Sequence, residues 1–264
     1  MANRRMSYSF IHTYACPYAN FLRYDAGIKP VTSKFIALGN GFHYALEMTH
    51  KDLEWDLKNA IDRFKLEFKR IIEDEDVFIS FPEIKKMEAE GVEMVVTYDN
   101  VISSGYLPPN PLGVEVEFKL MVGDQEVVGR IDRLDGGPGN YELTDFKTGS
   151  KQPDPWFLNH NQQFTVYALA IQEMYGEIPK KLYWYQARTG KLLETTRTQD
   201  DIDEFRETVT NIAFMRENKI RHRVFHEAVC QWCDYSEGWG NKSGICADKK
   251  LEKELIKKVD FEWK

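Results

Sequence analysis

Long apolar runs are missing from this sequence. No stretch approaches the ~20 apolar residues that a membrane span requires, so no transmembrane segment and no membrane partner are expected. The opening MANRRMSYSF is basic but lacks the apolar region of a signal peptide, which makes an intracellular protein the expectation. Internal repeats and low-complexity linkers are absent too. Cysteine is scarce: there are four in 264 residues, at Cys16, Cys230, Cys233 and Cys246. An intracellular chain of this size has little need of disulfides, and a Cys-x2-Cys pair there more often binds metal or does redox work. The redox reading lacks a strand–CxxC–helix context around Cys230, which leaves a four-thiolate site. Positive charge is also short, with a formal net charge of −7. That balance does not exclude nucleic acid, because binding depends on where charge sits. Basic clusters occur at Arg4 and Arg5, at Lys65, Lys69 and Arg70, and in RENKIRHR at 216–223.

What is present is ample core material, 42% apolar and 13% aromatic. Helical spacing dominates up to about residue 105. Phe10, Tyr14, Tyr18 and Phe21 recur at helical intervals, with Pro17 marking a helix start. LGNGFHYALEMTH predicts a helix beginning after Gly41. Leu53, Leu57, Ile61, Phe64, Phe68 and Ile71 form one apolar stripe, and 83–100 is helical again. YLPPNPLG at 106–113 breaks the chain. The period then becomes two: in VEVEFKL, Val114, Val116, Phe118 and Leu120 face one side, and Glu115, Glu117 and Lys119 the other.

EVVGRIDRL and YELTDFK continue as strands around a DGGPGN turn, whose Gly136, Gly137 and Gly139 answer to turn geometry. A helix over 155–175 is expected to bury Phe164, Ala168, Ile171 and Met174. Strands in KLYWYQA and LLETTR follow, then a helix from Asp200 with Ile202, Phe205, Val209 and Ile212 in period. The reading is one α/β domain over 1–264, with a helical part at 1–105, a core at 106–220, and a cysteine loop and tail at 221–264.

The chemistry lies in GRIDRLDGGPGNYELTDFKTG. Side chains alternate along a strand, so Asp145 and Lys147 share a face. Asp132 on the preceding strand and Glu115 before it can add carboxylates, with Glu117 as the alternative to Glu115. Such hard oxygen ligands suit Mg2+ or Mn2+. One or two such ions can activate water and neutralise phosphate charge. A solvated hairpin with a surface ion pair is the plain alternative.

VEVEFKL, GRIDRLD, LTDFKTG and QFTVY together resemble the successive motifs of the PD-(D/E)XK nuclease superfamily, in its RecB-like branch. The resemblance implies a restriction-endonuclease-like central mixed β-sheet flanked by helices, and a Mg2+- or Mn2+-dependent DNA exonuclease acting on single strands or ends. It implies roles for Glu115, Asp132, Asp145 and Lys147, for Gln163 and Tyr167 of the Q-x-x-x-Y motif, and for His43 and the Phe146 carbonyl as further metal ligands. Relatives of the AddB and CRISPR-associated kinds place one cysteine before the nuclease core and three after it, around a [4Fe–4S] cluster. Cys16, Cys230, Cys233 and Cys246 match that order, although twelve residues separate the last two, more than is usual there. Structural zinc is the alternative for these thiolates. An endonuclease, or a non-catalytic DNA-end or partner-binding module, is the alternative function. No helicase motif is present, so a role in recombination, repair or CRISPR adaptation would require another subunit. A bacterial, archaeal or virus-infected cytoplasm is the expected setting.

Overall fold

In a computed structural model the described residues are 5–30, 32–52, 54–75, 77, 79–231, 233–236, 246 and 249–262. Arg4, Leu53 and most of the cysteine loop (232, 237–245 and 247–248) lie outside them. The order begins β1 (Arg5–Ser7), α1 (Tyr8–Thr13), α2 (Pro17–Asn20) and a π-helical turn at Phe21–Asp25. Next come α3 (Lys34–His50), α4 (Leu57–Asp74), α5 (Phe81–Ser103), β2 (Gly113–Val122), β3 (Gln125–Asp135) and β4 (Glu142–Lys147). The chain continues with α6 (Pro155–Asn159), α7 (Gln162–Tyr175), β5 (Lys181–Gln186), β6 (Lys191–Thr195), α8 (Gln199–Glu217), α9 (Glu227–Cys230) and α10 (Lys249–Glu262). No helix among the described residues is long and apolar enough to cross a membrane.

The sheet is mixed, as expected. Its order is β1-β3-β4-β5-β6, with β2 also paired to β3. β3 and β4 run antiparallel, β4 and β5 parallel, and β5 and β6 antiparallel. Contacts divide the chain into two compact units, one formed by 32–118 and 130–202, the other by the described parts of 1–31, 119–129 and 203–264. In the first unit, Phe146 and Tyr185 of β4 and β5 join a core with Phe42, Leu46, Phe64, Phe68, Met94 and Tyr98 of α3, α4 and α5. In the second unit, Cys16, Tyr18, Phe21 and Leu22 pack with Tyr235 and Val259.

Three expectations are corrected. The helix placed after Gly41 begins at Lys34, capped by Ser33, whose hydroxyl accepts the Ile36 amide at 3.3 Å. Its glycines serve packing: a Cβ on Gly41 would lie 3.3 Å from Phe64 and Phe68, and one on Gly39 would lie 3.3 Å from Thr148. The single helix over 155–175 is two, because Asn161 caps α7 by accepting the Gln163 amide. Met174, expected inside, is 40% exposed. The three-residue β1, which pairs parallel with β3 from Arg5 opposite Glu126, is too short to alternate and left no periodic signal.

Gly91 gives the helical layer its test. It lies inside α5, where glycine costs ~1 kcal/mol relative to alanine by intrinsic propensity. Yet a Cβ there would stand 1.8 Å from Cζ of the fully buried Phe64 ring. Overpacking of this kind costs roughly 1–3 kcal/mol and outweighs the propensity gain. Gly91→Ala should therefore lower the urea midpoint without changing the slope; a midpoint at or above that of wild type would refute the close packing.

Candidate metal centre

β3 and β4 bring Asp132 and Asp145 side by side because their ladder pairs Arg133 with Thr144. Asp132 Oδ2 accepts the Phe146 amide at 2.8 Å. His43, in the middle of α3, has Nε2 3.1 Å from the Phe146 carbonyl oxygen. Its Nδ1 stands 3.6 Å from both Glu115 Oε1 and Asp132 Oδ2. One ligand atom from each of His43, Glu115 and Asp132 lies within 4.8 Å of the others. Nε2–H donates to the Phe146 carbonyl, which leaves the Nδ1 lone pair facing the carboxylates whenever the ring is neutral. The arrangement suits a hard divalent cation. The Phe146 carbonyl keeps a second lone pair, so the His43 contact does not prevent it from joining such a site.

Glu115 reaches this group through strained backbone. Its φ is +47°, a left-handed conformation that is costly for a residue with a Cβ. The two glutamates that the period makes equivalent differ in their surroundings. Glu115's side chain is 12% exposed beside His43, whereas Glu117 is exposed.

On the adjoining face Asp145, Lys147, Gln163 and Tyr167 close a ring. Lys147 Nζ lies 2.6 Å from Asp145 Oδ2 and donates to Gln163 Oε1 at 2.9 Å. Gln163 Nε2 donates to the Tyr167 oxygen at 2.8 Å, and the Tyr167 hydroxyl donates to Asp145 Oδ1 at 3.3 Å. The i,i+4 spacing of Gln163 and Tyr167 on α7 makes this possible. Burial is the first cause that holds the Tyr167 phenol well above its usual range, with Asp132 and Asp145 adding, so it stays a donor.

The electrostatics are those of an acid cluster short of cations. Burial, with Asp145 adding, raises Asp132 to about 7 against the opposing pull of His43 and Lys147. For His43, burial opposes the charge, but Asp132, Glu115 and Asp145 outweigh it and push the ring up to about 9.

Sequence reasoning missed two groups here. Arg130 Nε lies 3.5 Å from Glu115 Oε2, and a cleft of about 570 Å³ is lined by Asn40, His43, Glu47, Glu67, Glu115, Arg130 and Asp132 among others. Arg130 stands two residues from Asp132 and Glu47 four from His43, so strand and helix periods would have found both. Beneath the site, Arg133 is fully buried. It donates to both Asp135 carboxylate oxygens, to the Tyr98 hydroxyl at 2.6 Å and to the Pro108 carbonyl. The basic clusters, by contrast, are largely occupied within the protein. Arg70 binds Glu67 and Asp74, Arg216 binds Asp25, and Arg223 binds Glu252.

The cysteines belong to the other unit and form no disulfide. The Cys16 sulfur accepts the Val224 amide at 3.5 Å, and the Cys230 thiol donates to the Val224 carbonyl at 3.4 Å. Burial raises the Cys233 and Cys246 thiols, with neighbouring cysteines adding in each case. The four converge, but among the described residues they form no group with all ligand atoms within 4.8 Å. Tetrahedral zinc would draw its sulfurs to about 3.8 Å, given Zn–S of about 2.3 Å.

A carboxylate–imidazole group on antiparallel strands, with a lysine two residues beyond one aspartate, is an arrangement that suits metal-dependent hydrolysis. The chain belongs to the PD-(D/E)XK nuclease superfamily, whose sequence model matches residues 5–237. Nucleases of this superfamily use divalent metal ions, and the His43–Glu115–Asp132 group can hold one. The fold is similar to that of a candidate exonuclease from Eubacterium rectale, at 15% identity and a TM-score of 0.59, covering 90% of this chain and 91% of that one. The protein SSO0001 is a fainter likeness, at 13% identity and a TM-score of 0.37, covering 78% of this chain and 95% of that one. No curated protein matches.

Metal loading should be strongly pH-dependent. The ion-free site keeps a proton on His43 up to about pH 9 and on Asp132 up to about pH 7. A cation requires the bare lone pairs. Affinity for Mn2+ should therefore rise with pH through this window, by about tenfold per unit for each proton displaced. Calorimetric titration at pH 8 in two buffers of different ionisation enthalpy should show release of about one proton. Release of none would contradict this account of the site.

Proposed function

We propose that this chain is a DNA exonuclease of the RecB-like branch, hydrolysing phosphodiester bonds in single strands or at duplex ends. One observation carries the reading: the closed ring of Asp145, Lys147, Gln163 and Tyr167 stands beside the His43–Glu115–Asp132 group. His43, Glu115, Asp132, Asp145 and the Phe146 carbonyl are the residues that would hold Mg2+ or Mn2+. Such an ion supplies an acidified water and neutralises charge on the phosphate. Lys147, oriented by Asp145 and Gln163, presents its ammonium to the attacking water and to the negative charge that grows on the phosphate oxygens. The water oxygen bonds to phosphorus as the ester P–O bond breaks, and the leaving oxygen takes up a proton. Tyr167 keeps Asp145 in place by donating to it.

The preference for free ends comes from the resemblance to the RecB-like branch and is supported by the structural neighbour described as an exonuclease. DNA is the proposed partner, held through its phosphates, so binding should weaken steeply with salt. Any helicase or recombination or adaptation subunit would be a separate chain. The four cysteines are proposed to hold a [4Fe–4S] cluster, with zinc as the alternative. Metal analysis of protein purified without oxygen should find about four irons per chain; zinc instead would replace the cluster.

The functional test is degradation of end-labelled linear and closed circular single-stranded DNA with Mg2+ or Mn2+. Linear DNA alone should be degraded, and Lys147→Ala should lose roughly 100-fold or more of the rate. Cutting of the circle would make the protein an endonuclease. Cleavage of neither by wild type would leave a non-catalytic DNA-binding module.

A further inference from the structure

Next to the face that carries Asp145 and Lys147 stand aromatic rings that the hydrolytic chemistry does not use. Trp184 lies opposite Asp145 in the register of β4 and β5, and the Lys147 ammonium stands 5.4 Å from the centre of its ring. Phe157 of α6 meets Trp184 edge to face, with centroids 6.1 Å apart. Beside it Trp156 is 70% exposed and stacks flat on the exposed His160 ring at 4.6 Å. Trp156 and Phe157 thus present two large apolar side chains in succession at the surface, 70% and 45% exposed.

These rings are rigidly mounted. Asp154 caps α6 by accepting the Phe157 amide at 2.8 Å, and Leu158 anchors the helix from below as a buried residue. The buried Arg197 donates to the Leu158 carbonyl at 3.1 Å and to the Asn161 carbonyl at 2.9 Å, fixing both ends of the turn between α6 and α7. Thr195 donates to Asn159 Oδ1 at 3.0 Å. Trp184 is held by its own indole N–H, which donates to Gln186 Oε1 at 3.1 Å. Gln186 in turn donates to the Gly149 carbonyl, tying the loop after Lys147 to β5. A buried arginine spent on carbonyls, a capped short helix and a pinned indole together hold aromatic faces in fixed positions at the surface.

Resting on the nuclease reading above, we propose that Trp184, Phe157 and Trp156 form a stacking platform for unpaired nucleobases of the strand whose phosphate lies at Lys147. The occupant is argued from continuity and charge. A strand with an anionic phosphate at Lys147 has Trp184 within reach of its neighbouring nucleotides, and flat apolar rings beside a cation match a base attached to a phosphate. Every base has a π-face, so such a platform is indifferent to sequence. Internal paired bases cannot reach it, because both of their faces are already stacked in the duplex. The platform thus selects single-stranded or frayed ends over closed duplex.

The test replaces Trp156 and Phe157 together by Ala, leaving the residues of the metal centre and its ring intact. Affinity is read by fluorescence anisotropy with Ca2+ in place of Mg2+. The three probes are a labelled oligothymidylate, an abasic backbone of the same length and a blunt hairpin duplex. Wild type should prefer oligothymidylate to the abasic strand. The double variant should bind oligothymidylate about 5- to 150-fold more weakly, in line with the loss of a stacked base. Its affinity for the hairpin and the abasic strand should stay within about twofold of wild type. Replacement of both residues by Tyr should restore binding.

Unchanged affinity for oligothymidylate would overturn the platform and point to a protein partner for these rings, while Lys147-dependent cleavage would still uphold the nuclease. Equal weakening on all three probes would mean a structural role and overturn it as well. Wild-type protein that binds none of the probes would overturn both readings.

Discussion

The peptide group of Phe146 is the point on which the site depends. Its side chain is buried among Phe42, Tyr98 and Tyr185, all met edge to face at 5.5–6.0 Å. Its amide donates to Asp132 and its carbonyl engages His43. Core packing therefore fixes a main-chain donor and acceptor, and these fix one carboxylate and the imidazole. Because Asp145 and Lys147 flank Phe146, the same aromatic anchor aims their side chains away from that core. A cavity opened beneath Phe146 would disturb ligands on both sides at once, which makes this core position a functional one.

The site is held together against its own charge. Asp132 and Asp145 are 8% and 1% exposed, and Glu115 sits in a strained conformation beside them. Lys147, a protonated His43 and the more exposed Arg130 beside Glu115 supply the positive charge that faces these carboxylates. Without a cation, burial drives Asp132 towards its protonated form, and His43 keeps the proton that its carboxylate neighbours favour. Both effects set protons in competition with a divalent ion at these groups, so ion binding and folding stability are linked. The strain at Glu115 has the same meaning. Backbone energy is spent to bring a third carboxylate where repulsion would otherwise exclude it.

The sequence made these strands legible because their pattern is local. Alternation in β2 to β4, the spacing of Asp145 and Lys147, and the i,i+4 pair Gln163 and Tyr167 are properties of neighbouring residues. So are the buried positions Ile202, Phe205, Val209 and Ile212 of α8, which follow one period and are buried. What escaped depends on the fold as a whole. Gly39 and Gly41 read as a boundary, yet α4 and the loop after Lys147 pack against them. The break before α7 is set by Asn161 and by Arg197, 36 residues later. Glu115 and Glu117 are equivalent by period, yet Glu115 carries the positive φ and stands beside His43 while Glu117 is exposed. No periodicity reports a long-range carbonyl contact or an isolated strained residue.

Two buried arginines show how such non-local contacts are made. Arg133 bridges Asp135, Tyr98 and the Pro108 carbonyl on the face towards α5, and Arg197 holds Leu158, Asn161 and Thr195 on the face towards α7. Lysine could not replace either. A planar fork with five donors satisfies several fixed acceptors at once, whereas an ammonium would leave some of them unpaired in the interior. The second case is the more demanding, since no carboxylate touches Arg197 among its hydrogen-bond partners and burial lowers its proton affinity. A buried cation satisfied mainly by neutral oxygens is worth its desolvation only where the positions of those oxygens matter. Those it secures set the turn between α6 and α7. One side of that turn carries Gln163 and Tyr167, and the other carries the exposed rings. The hydrogen-bonded ring and the exposed aromatic side chains are thus registered to each other through a single guanidinium.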